Sequence, residues 1–338
     1  MRKLKWGILS TADIGVRKVI PPMQQATACD IVAIASRDAK RAEEVAGRLG
    51  IPRHHGDYDA LLADPEVEAI YNPLPNHLHV PWTEKAAAAG KHVLCEKPIA
   101  LDAEEARRLI DARDRHGVVI QEAFMVRTHP QWLKVRGLVE SGAIGELRAI
   151  QGFFSYDNTN PDDIRNQADI GGGGLYDIGC YPITTSRFVT GREPESVVAT
   201  LDRDPEMRID RLGSAILQFG RADGYPVQAT FTYSTQIVPY QRMQFFGTTG
   251  RIEVEIPFNA PNDRPCRLFV DDGSSVTGDG TRIVEIEQCD QYGVAGDAFS
   301  RAVLDGTPPP VPLENSVANM RVIDACFRSA DSGRWVSL

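Results

Sequence analysis

Three side chains in this sequence have the types and spacing to move a proton to or from a hydroxyl group: Lys97, Asp177 and Tyr181. Lys97 stands in "HVLCEKPIAL", His92 to Leu101, between Glu96 and Pro98 and directly behind a short apolar run. A short βα turn ordinarily takes Gly, Asn or Ser, so a charged pair followed by an imide points to a use beyond turning the chain. Lys97 alone would be read more plainly, as a lysine paired to its neighbour Glu96. Asp177 and Tyr181 lie in "DIGGGGLYDIGCYPITTSRFVTG", where four glycines, Gly171 to Gly174, lead into a helical pattern. Residues i and i+4 share a helix face, and Asp177 falls in the first turn, where the macrodipole favours its ionised form. An acid complementing the dipole and a tyrosine packed in a core are the structural alternatives. Yet a glycine run that lets backbone approach closely, followed by an acid and a phenol on one face, suits a site facing a cofactor.

The sequence around the first apolar run describes that cofactor. In "LSTADIGVRKVI" a G-x-G-x-x-G fingerprint would place glycines at Ser10, Ala12 and Gly15, and only the third is present. Ser10 can turn the chain and Ala12 is small enough for a pyrophosphate to approach the backbone. Gly15 permits close packing of helix on strand at a helix N-terminus that favours anions. Ser10, Thr11, Ala12, Asp13, Ile14 and Gly15 together form a candidate dinucleotide cradle. About twenty residues on, where an NAD site carries Asp or Glu for the ribose hydroxyls, "IASRDAKR" offers Ser36 and Arg37. A guanidinium pairs with a 2′-phosphate and stacks on adenine, Ser36 can cap the next helix, and Lys40 and Arg41 add positive charge. NADP is expected over NAD. Asp38 is the opposing sign, as a ribose acid displaced by two positions. In "YNPLPNHLH", Tyr71 to His79, two prolines hold the backbone extended. Pro73, Leu74, Asn76 and His79 then stand at the carboxyl edge of the sheet, where open α/β folds bind ligands. Asn76 and His79 are expected to cap a helix and contact ribose, and His77 with His79 lacks a third metal ligand. Glu96 and Lys97 sit at the same edge, beside the nicotinamide half of the cofactor.

Positioning these groups requires a particular order of elements. From Leu4 to about Glu122, apolar runs ("LKWGIL", "IVAIA", "VEAIYN", "HVLC", "VVIQEA") alternate with helix-period segments at Lys40 to Leu49, Trp82 to Ala89 and Ala103 to His116. That alternation predicts a parallel, doubly wound sheet, with "RHHG" as a further edge strand. After the helix-like "PQWLKVRGLVESG" come longer period-two runs such as "ELRAIQGFFS", "GSAILQF" and "VQATFTYS". They predict a large, mainly antiparallel open sheet. Two helices, Gln291 to Asp305 and Glu314 to Ala330, flank the breaker "GTPPPVP". The reading is an α/β Rossmann domain over residues 1–123 and an α+β domain for substrate binding and oligomerisation over residues 124–338.

Composition narrows the partners. The 338 residues are 42% hydrophobic and 25% charged, with a formal net charge of -9. A negative surface repels nucleic acid and anionic membrane, so a small molecule is the expected partner. No apolar stretch reaches the roughly 18 to 20 residues of a membrane span, and "MRKLKWGILS" has no cleavable apolar region, so a cytoplasmic location is expected. The six cysteines stand singly, without C-x-x-C pairs, which suggests reduced, buried thiols. All seven histidines lie at or before His129. An acid or base from the second half must therefore be a carboxylate, Tyr, Lys or Cys.

Through "STADIG", "YNPLPNHLH", "CEKP", "EAFMVRTHP" and "GGGGLYDIGCYP" the chain resembles the Gfo/Idh/MocA oxidoreductases over essentially its whole length. The resemblance implies a Rossmann domain followed by an open antiparallel sheet that forms a homodimer or homotetramer interface. It implies that Lys97 contacts the reacting substrate oxygen, and that Asp177 and the residue four positions later share substrate binding and proton transfer. That later residue is His in inositol dehydrogenase-like members. Tyr181 here, like the "STA" start, resembles the branch of glucose-fructose oxidoreductase, NADP-dependent D-xylose dehydrogenase and dimeric dihydrodiol dehydrogenase. Without the signal peptide or covering arm of the periplasmic enzyme, the cofactor is expected to exchange.

These residues lead to an expected function: a metal-free, NADP-dependent oxidation of an aldose or polyol hydroxyl, with Tyr181 as acid and base, Lys97 lowering its pKa, and Asp177 orienting substrate hydroxyls. Arg127 and Arg165 are candidates for cofactor or substrate contact, or for ordinary salt bridges. Phe154, Tyr156 and Asn158 are candidates to shape the pocket. Reduction of a keto-sugar or anhydrofructose uses the same chemistry in reverse. Glycoside cleavage on a retained NAD, and a silent NADP-binding sensor, are the readings of another class.

Overall fold

The computed structural model describes residues 2–222 and 225–338. Among them the early apolar runs form a six-stranded parallel sheet: β1 (Leu4–Leu9), β2 (Cys29–Ala35), β3 (Arg53–His55), β4 (Ala69–Asn72), β5 (His92–Cys95) and β6 (Ile120–Glu122). The spatial order is β3-β2-β1-β4-β5-β6, so the winding reverses between β1 and β4 and "RHHG" is an edge strand. β1, β2, β4 and β5 are buried almost throughout, as strands covered on both faces must be. Between them run α1 (Ile20–Gln25), α2 (Ala39–Leu49), α3 (Tyr58–Ala63), α4 (His79–Ala88) and α5 (Ala103–His116). Local chemistry sets their ends. Asp38 and Asp102 cap the starts of α2 and α5, while Gly50 and Gly117 close them in the left-handed conformation. The reversal point puts the carboxyl ends of β1, β4 and β5 side by side, and the motif residues lie in the loops that leave them.

The later runs form a nine-stranded sheet of β7 (Leu147–Asp157), β8 (Pro194–Arg203), β9 (Asp210–Ala222), β10 (Tyr225–Ser234), β11 (Gln236–Gly247), β12 (Arg251–Val254), β13 (Cys266–Asp271), β14 (Thr281–Ile286) and β15 (Val336–Ser337). Its order is β14-β13-β12-β11-β7-β10-β9-β8-β15, antiparallel except for the parallel pair β7 and β10. Period-two burial fixes the register. On β9, Gly213, Ala215, Leu217 and Phe219 are buried while Leu212, Ser214 and Gln218 are exposed. The helices α6 (Pro130–Glu140) and α7 (Cys180–Thr190) pack with this sheet. The opposite face has a shallow hollow of about 470 Å³ with Phe153, Ser214, Thr232 and Tyr240 in its lining.

The chain divides into one unit of Met1–Thr128 with Asp290–Met320, and a second of His129–Cys289 with Arg321–Leu338. A single boundary at residue 123 is therefore corrected: α8 (Gln291–Asp305) returns to the first unit, and α9 (Leu313–Ser332) is divided between the two. Packing explains the return. The Phe299 ring packs against Trp6 at 5.2 Å, tilted by 49°, and Ser300 Oγ accepts the Trp6 indole N–H at 3.1 Å. Asp297 accepts the amides of Thr27 and Ala28, and a Cβ on Gly296 would press on Met23 and Cys29. Nothing in the local pattern of residues 291–305 distinguishes a helix that covers the first sheet from one that covers the second. Phe299→Ala is expected to destabilise the first unit by about 3–5 kcal/mol, read as an earlier urea transition followed by tryptophan fluorescence.

Candidate active site

In the first unit the loop after β1 does without its first two glycines at a local cost. Ser10 has φ 112°, a region that L-residues avoid, and its Oγ accepts the Ala12 amide at 3.2 Å. Thr11 Oγ1 accepts Arg41 Nε–H at 2.9 Å, which ties α2 to this loop. The loop enters a π-helical turn at Gly15–Val19. A Cβ on Gly15 would lie 3.5 Å from Tyr71 and 3.7 Å from Pro73, ordinary contact distances. Close helix-on-strand packing is therefore not what requires glycine there, and a bare backbone at this turn suits the approach of a pyrophosphate. Asp13 points outward to an exposed ion pair with Arg17.

The second turn corrects one expectation. Asp38, not Ser36, caps α2: its Oδ1 accepts the amides of Lys40 and Arg41, while Ser36 Oγ takes the Asp38 amide. That carboxylate is committed to the helix start, which weakens it as a displaced ribose acid. Arg37 lies beside the Tyr58 hydroxyl, and Lys40 reaches Glu44 in an exposed pair. Thr11, Asp13, Lys40 and Arg41 border a polar depression of about 510 Å³. Its lining mixes Lys40, Arg41 and Arg48 with Asp13, Asp38 and Glu44, and those cations beside the loop after β1 fit a dinucleotide phosphate.

At the ends of β4 and β5, buried side chains hold the loops. Asn72 donates to the His79 carbonyl and Thr83 Oγ1 and accepts the Leu74 amide. His79 is wholly buried, with Nδ1 2.7 Å from the Pro98 carbonyl and Nε2 2.7 Å from the Leu74 carbonyl. Burial pushes its imidazole down to about 4, outweighing both carbonyls. A ribose-contacting His79 is therefore corrected: the ring is a brace between the Pro73–Asn76 loop and the Lys97–Pro98 turn, whose peptide bond is cis. Asn76 does open a short 3-10 turn ahead of α4. Glu96 Oε1 accepts the Tyr71 hydroxyl at 2.6 Å and Oε2 accepts the Lys97 amide. Glu122 Oε1 accepts the Ile99 amide, so the turn bearing Lys97 is held from both sides. Arg127 donates to Asn315 Oδ1 at 2.8 Å within this unit.

In the second unit, Asp177 lies in a π-helical turn, Leu175–Gly179, and Tyr181 in the first turn of α7. Asp177 Oδ2 accepts the Tyr156 hydroxyl at 2.5 Å, and Oδ1 lies 3.4 Å from Arg165 Nε, while Arg165 Nη1 reaches Asp163. Arg165, expected at the cofactor, is thus tied to Asp177. Burial and the Asp177 charge hold the Tyr156 phenol far above its usual range, so Tyr156 stays a donor. The Tyr181 ring packs against Phe154 at 5.8 Å and Phe258 at 5.3 Å. Phe154 also stacks on Phe258, so it backs Tyr181. Asn158 holds its loop in place, its amide donating to the Thr235 carbonyl and its own carbonyl accepting from the buried Asn166.

The glycine run serves this unit's own packing. Gly173 has φ 129°, and a Cβ there would overlap Asp210 Oδ1; one on Gly174 would lie 2.7 Å from the Tyr233 ring. Asp210 is almost fully buried, and its Oδ2 accepts the Leu175 amide at 2.6 Å and the Tyr233 hydroxyl at 2.5 Å. The close approach expected of these glycines toward a cofactor is made instead toward β9 and β10. Asp210 and Tyr233 sit in strands with no motif of their own, and sequence reasoning missed both, as it missed Phe258 and Glu122. Among the described residues no group of three His, Cys, Asp or Glu side chains is arranged to hold a metal ion, and no helix is long and apolar enough to cross a membrane.

Comparison with known proteins agrees with this geometry. A family model described as "Oxidoreductase family, NAD-binding Rossmann fold" matches residues 4–124, and one described as "GFO/IDH/MocA C-terminal domain" matches residues 132–253. Uncharacterized oxidoreductase ORF334 of Rhizobium meliloti is 50% identical over 99% of each chain. D-xylose 1-dehydrogenase (NADP(+)) 2 of Haloferax volcanii is 39% identical over 99% of this chain and 100% of its own. The structure of KijD10, a 3-ketoreductase from Actinomadura kijaniata in complex with NADP and TDP-benzene, superposes with a TM-score of 0.88 at 32% identity, covering 97% of this chain and 98% of that one. KijD10 has also been solved with a lysine changed to alanine and a tyrosine changed to phenylalanine, at an interval equal to that from Lys97 to Tyr181.

Burial raises the Asp210 carboxyl to about 6, against the pull of Tyr233 and Leu175. The folded state then binds this proton more tightly than the unfolded chain. The contribution to stability is greatest below about pH 4 and is lost as pH rises through 6, on the order of 3 kcal/mol in all. Urea unfolding at several pH values should show that loss in the wild type and a flatter profile in Asp210→Asn.

Proposed function

The chain belongs to the Gfo/Idh/MocA family of NAD(P)-dependent sugar oxidoreductases, and from that premise we propose that it is an NADP-dependent aldose 1-dehydrogenase acting on D-xylose or a similar sugar. The observation that carries the reading is the pairing of Tyr181 with a carboxylate, Asp177, held one turn earlier by Tyr156 and Arg165. Two phenols stand near that carboxylate's helix, and their electrostatics separate them. Tyr156 is locked as a protonated donor by the charge it serves, which leaves Tyr181 as the proton carrier. When bound, the nicotinamide exchanges a hydride with the substrate carbon. Tyr181 takes the proton of the oxidised hydroxyl, Lys97 supports the oxygen with its charge, and Asp177 orients neighbouring hydroxyls. The equal lysine-to-tyrosine interval in KijD10 supports assigning Lys97 and Tyr181 to one reaction. NADP preference rests on Arg37, Lys40 and Arg41 and on the commitment of Asp38 to α2. We assign the open sheet face to a homodimer or homotetramer contact and place the protein in the cytoplasm.

Reduction of a keto-sugar is the second reading, favoured by the likeness to the 3-ketoreductase. A panel of aldoses, polyols and keto-sugars, followed by the near-ultraviolet absorbance of reduced nicotinamide, separates the two. Absorbance rising with NADP and an aldose is the expected result. Consumption of NADPH with keto-sugars alone selects the reductase. Cofactor that co-purifies and never turns over points to the glycoside hydrolase or the sensor. Tyr181→Phe is expected to lower turnover by about 10²–10⁴-fold with the NADP dissociation constant unchanged. Direct titration should give tighter binding of NADP than of NAD, and the reverse order would overturn the cofactor assignment.

A further inference from the structure

None of the six cysteines is in a disulfide, and Cys289 differs from the other five in keeping partial exposure. Burial drives the Cys29 and Cys326 thiols up to about 12, Cys266 to about 11 and Cys95 well above the ordinary range. Such thiols are poor nucleophiles. Cys289 Sγ lies instead 3.3 Å from Nε2 of His129, a ring with no exposed surface. The other ring nitrogen is already committed. Nδ1 accepts the Gln131 amide and so caps the start of α6. An accepting Nδ1 carries no proton, so in the neutral ring the proton is on Nε2 and is donated to the sulfur. An N–H fixed on sulfur favours the thiolate over the thiol. The imidazole cannot turn away without uncapping its helix.

The pair also has a defined place in the chain. His129 and Cys289 begin and end the long segment of the second unit, so they mark two of the points where the chain passes between units. They are 160 residues apart in sequence, yet in contact. The titratable groups facing the sulfur include the His129 ring and the Cys266 thiol, which feels the charge on Cys289. The adjoining Asp290 carboxylate accepts the Tyr292 and Gly293 amides at the start of α8.

We propose that Cys289, primed by His129, is a site of oxidative modification by peroxide. The thiolate sulfur attacks one peroxide oxygen, an S–O bond forms as the O–O bond breaks, and the hydroxide released collects a proton from solvent as water. The cysteine is oxidised to a sulfenic acid and the peroxide is reduced. The proposal stands apart from the sugar chemistry, since neither residue belongs to that machinery.

The test treats the full-length chain with limiting hydrogen peroxide in the presence of dimedone, from about pH 5 to 9, and locates the adduct by mass spectrometry. Wild type is compared with His129→Asn, which keeps a helix-capping side chain but removes the N–H on sulfur. The expected result is dimedone on Cys289 ahead of the other five cysteines, with a half-maximal rate below the ordinary thiol value of about 8.5. In His129→Asn that midpoint should return toward the ordinary value, with about tenfold slower labelling near neutrality. Labelling of another cysteine first, or one midpoint shared by the two proteins, would overturn the proposal. If His129→Asn fails to fold by circular dichroism, the wild-type midpoint decides: at or above the ordinary value it refutes the priming, and below it supports it. Cys289→Ser should lose the adduct and keep full oxidoreductase turnover.

Discussion

The Asp210 carboxylate accepts the Leu175 amide and the Tyr233 hydroxyl through one oxygen, and the backbone of the second unit is built around that contact. It lies at the point where the glycine run becomes the helix that carries Asp177 and Tyr181. A side chain at Gly173 or Gly174 would collide with Asp210 or Tyr233, and one at Gly213 would collide with Tyr233 from the neighbouring strand. The polar group is costly to bury, and its cost is offset only while both donors reach it. The start of the helix is therefore fixed by a sheet-borne acid and not by a cap of its own: neither Gly174 nor Gly179 offers a capping side chain. A site that must hold reacting atoms to fractions of an ångström gains from being anchored on paired strands.

Charge is handled differently in the two units. In the second, an ionised Asp177 is partnered by a guanidinium and a phenol, so its position and its charge are both stabilised. In the first, the groups nearest Lys97 in sequence are used to hold backbone. Glu96 takes a tyrosine hydroxyl and an amide, Glu122 takes the Ile99 amide, and His79 spans two carbonyls. The answer to why a turn should read Glu-Lys-Pro is that the glutamate and the proline carbonyl are anchor points, and the lysine between them is held in place by both.

Much of this was legible in the sequence, and the reasons for the exceptions are physical. Apolar runs identified five of the parallel strands because these are buried, the partly exposed edge strand β3 being read from "RHHG" instead, and period-two runs identified the large sheet because one face is wet. The residues Lys97, Asp177 and Tyr181 stood out because their motifs break ordinary turn and helix chemistry. Asp210 and Tyr233 were invisible since an inward polar residue on a strand looks like any other position until its partner from a distant strand is known. His79 was misread because an imidazole at a ligand-binding edge has the same sequence whether it faces solvent or two carbonyls. The destination of residues 291–305 was hidden for a similar reason: an apolar helix face does not say which sheet it will cover.

The strands of the first sheet are translated first, but Trp6 finds Phe299 and Ser300 only after nearly the whole chain has been made. Amino-terminal domains usually fold as they leave the ribosome, and here the nascent dinucleotide domain must wait, with part of its core uncovered, while strands β7 to β14 of the large sheet are synthesised. Completion is thus interleaved: the first unit closes on residues 290–320, and the large sheet gains its last strand, β15, only at the end of the chain.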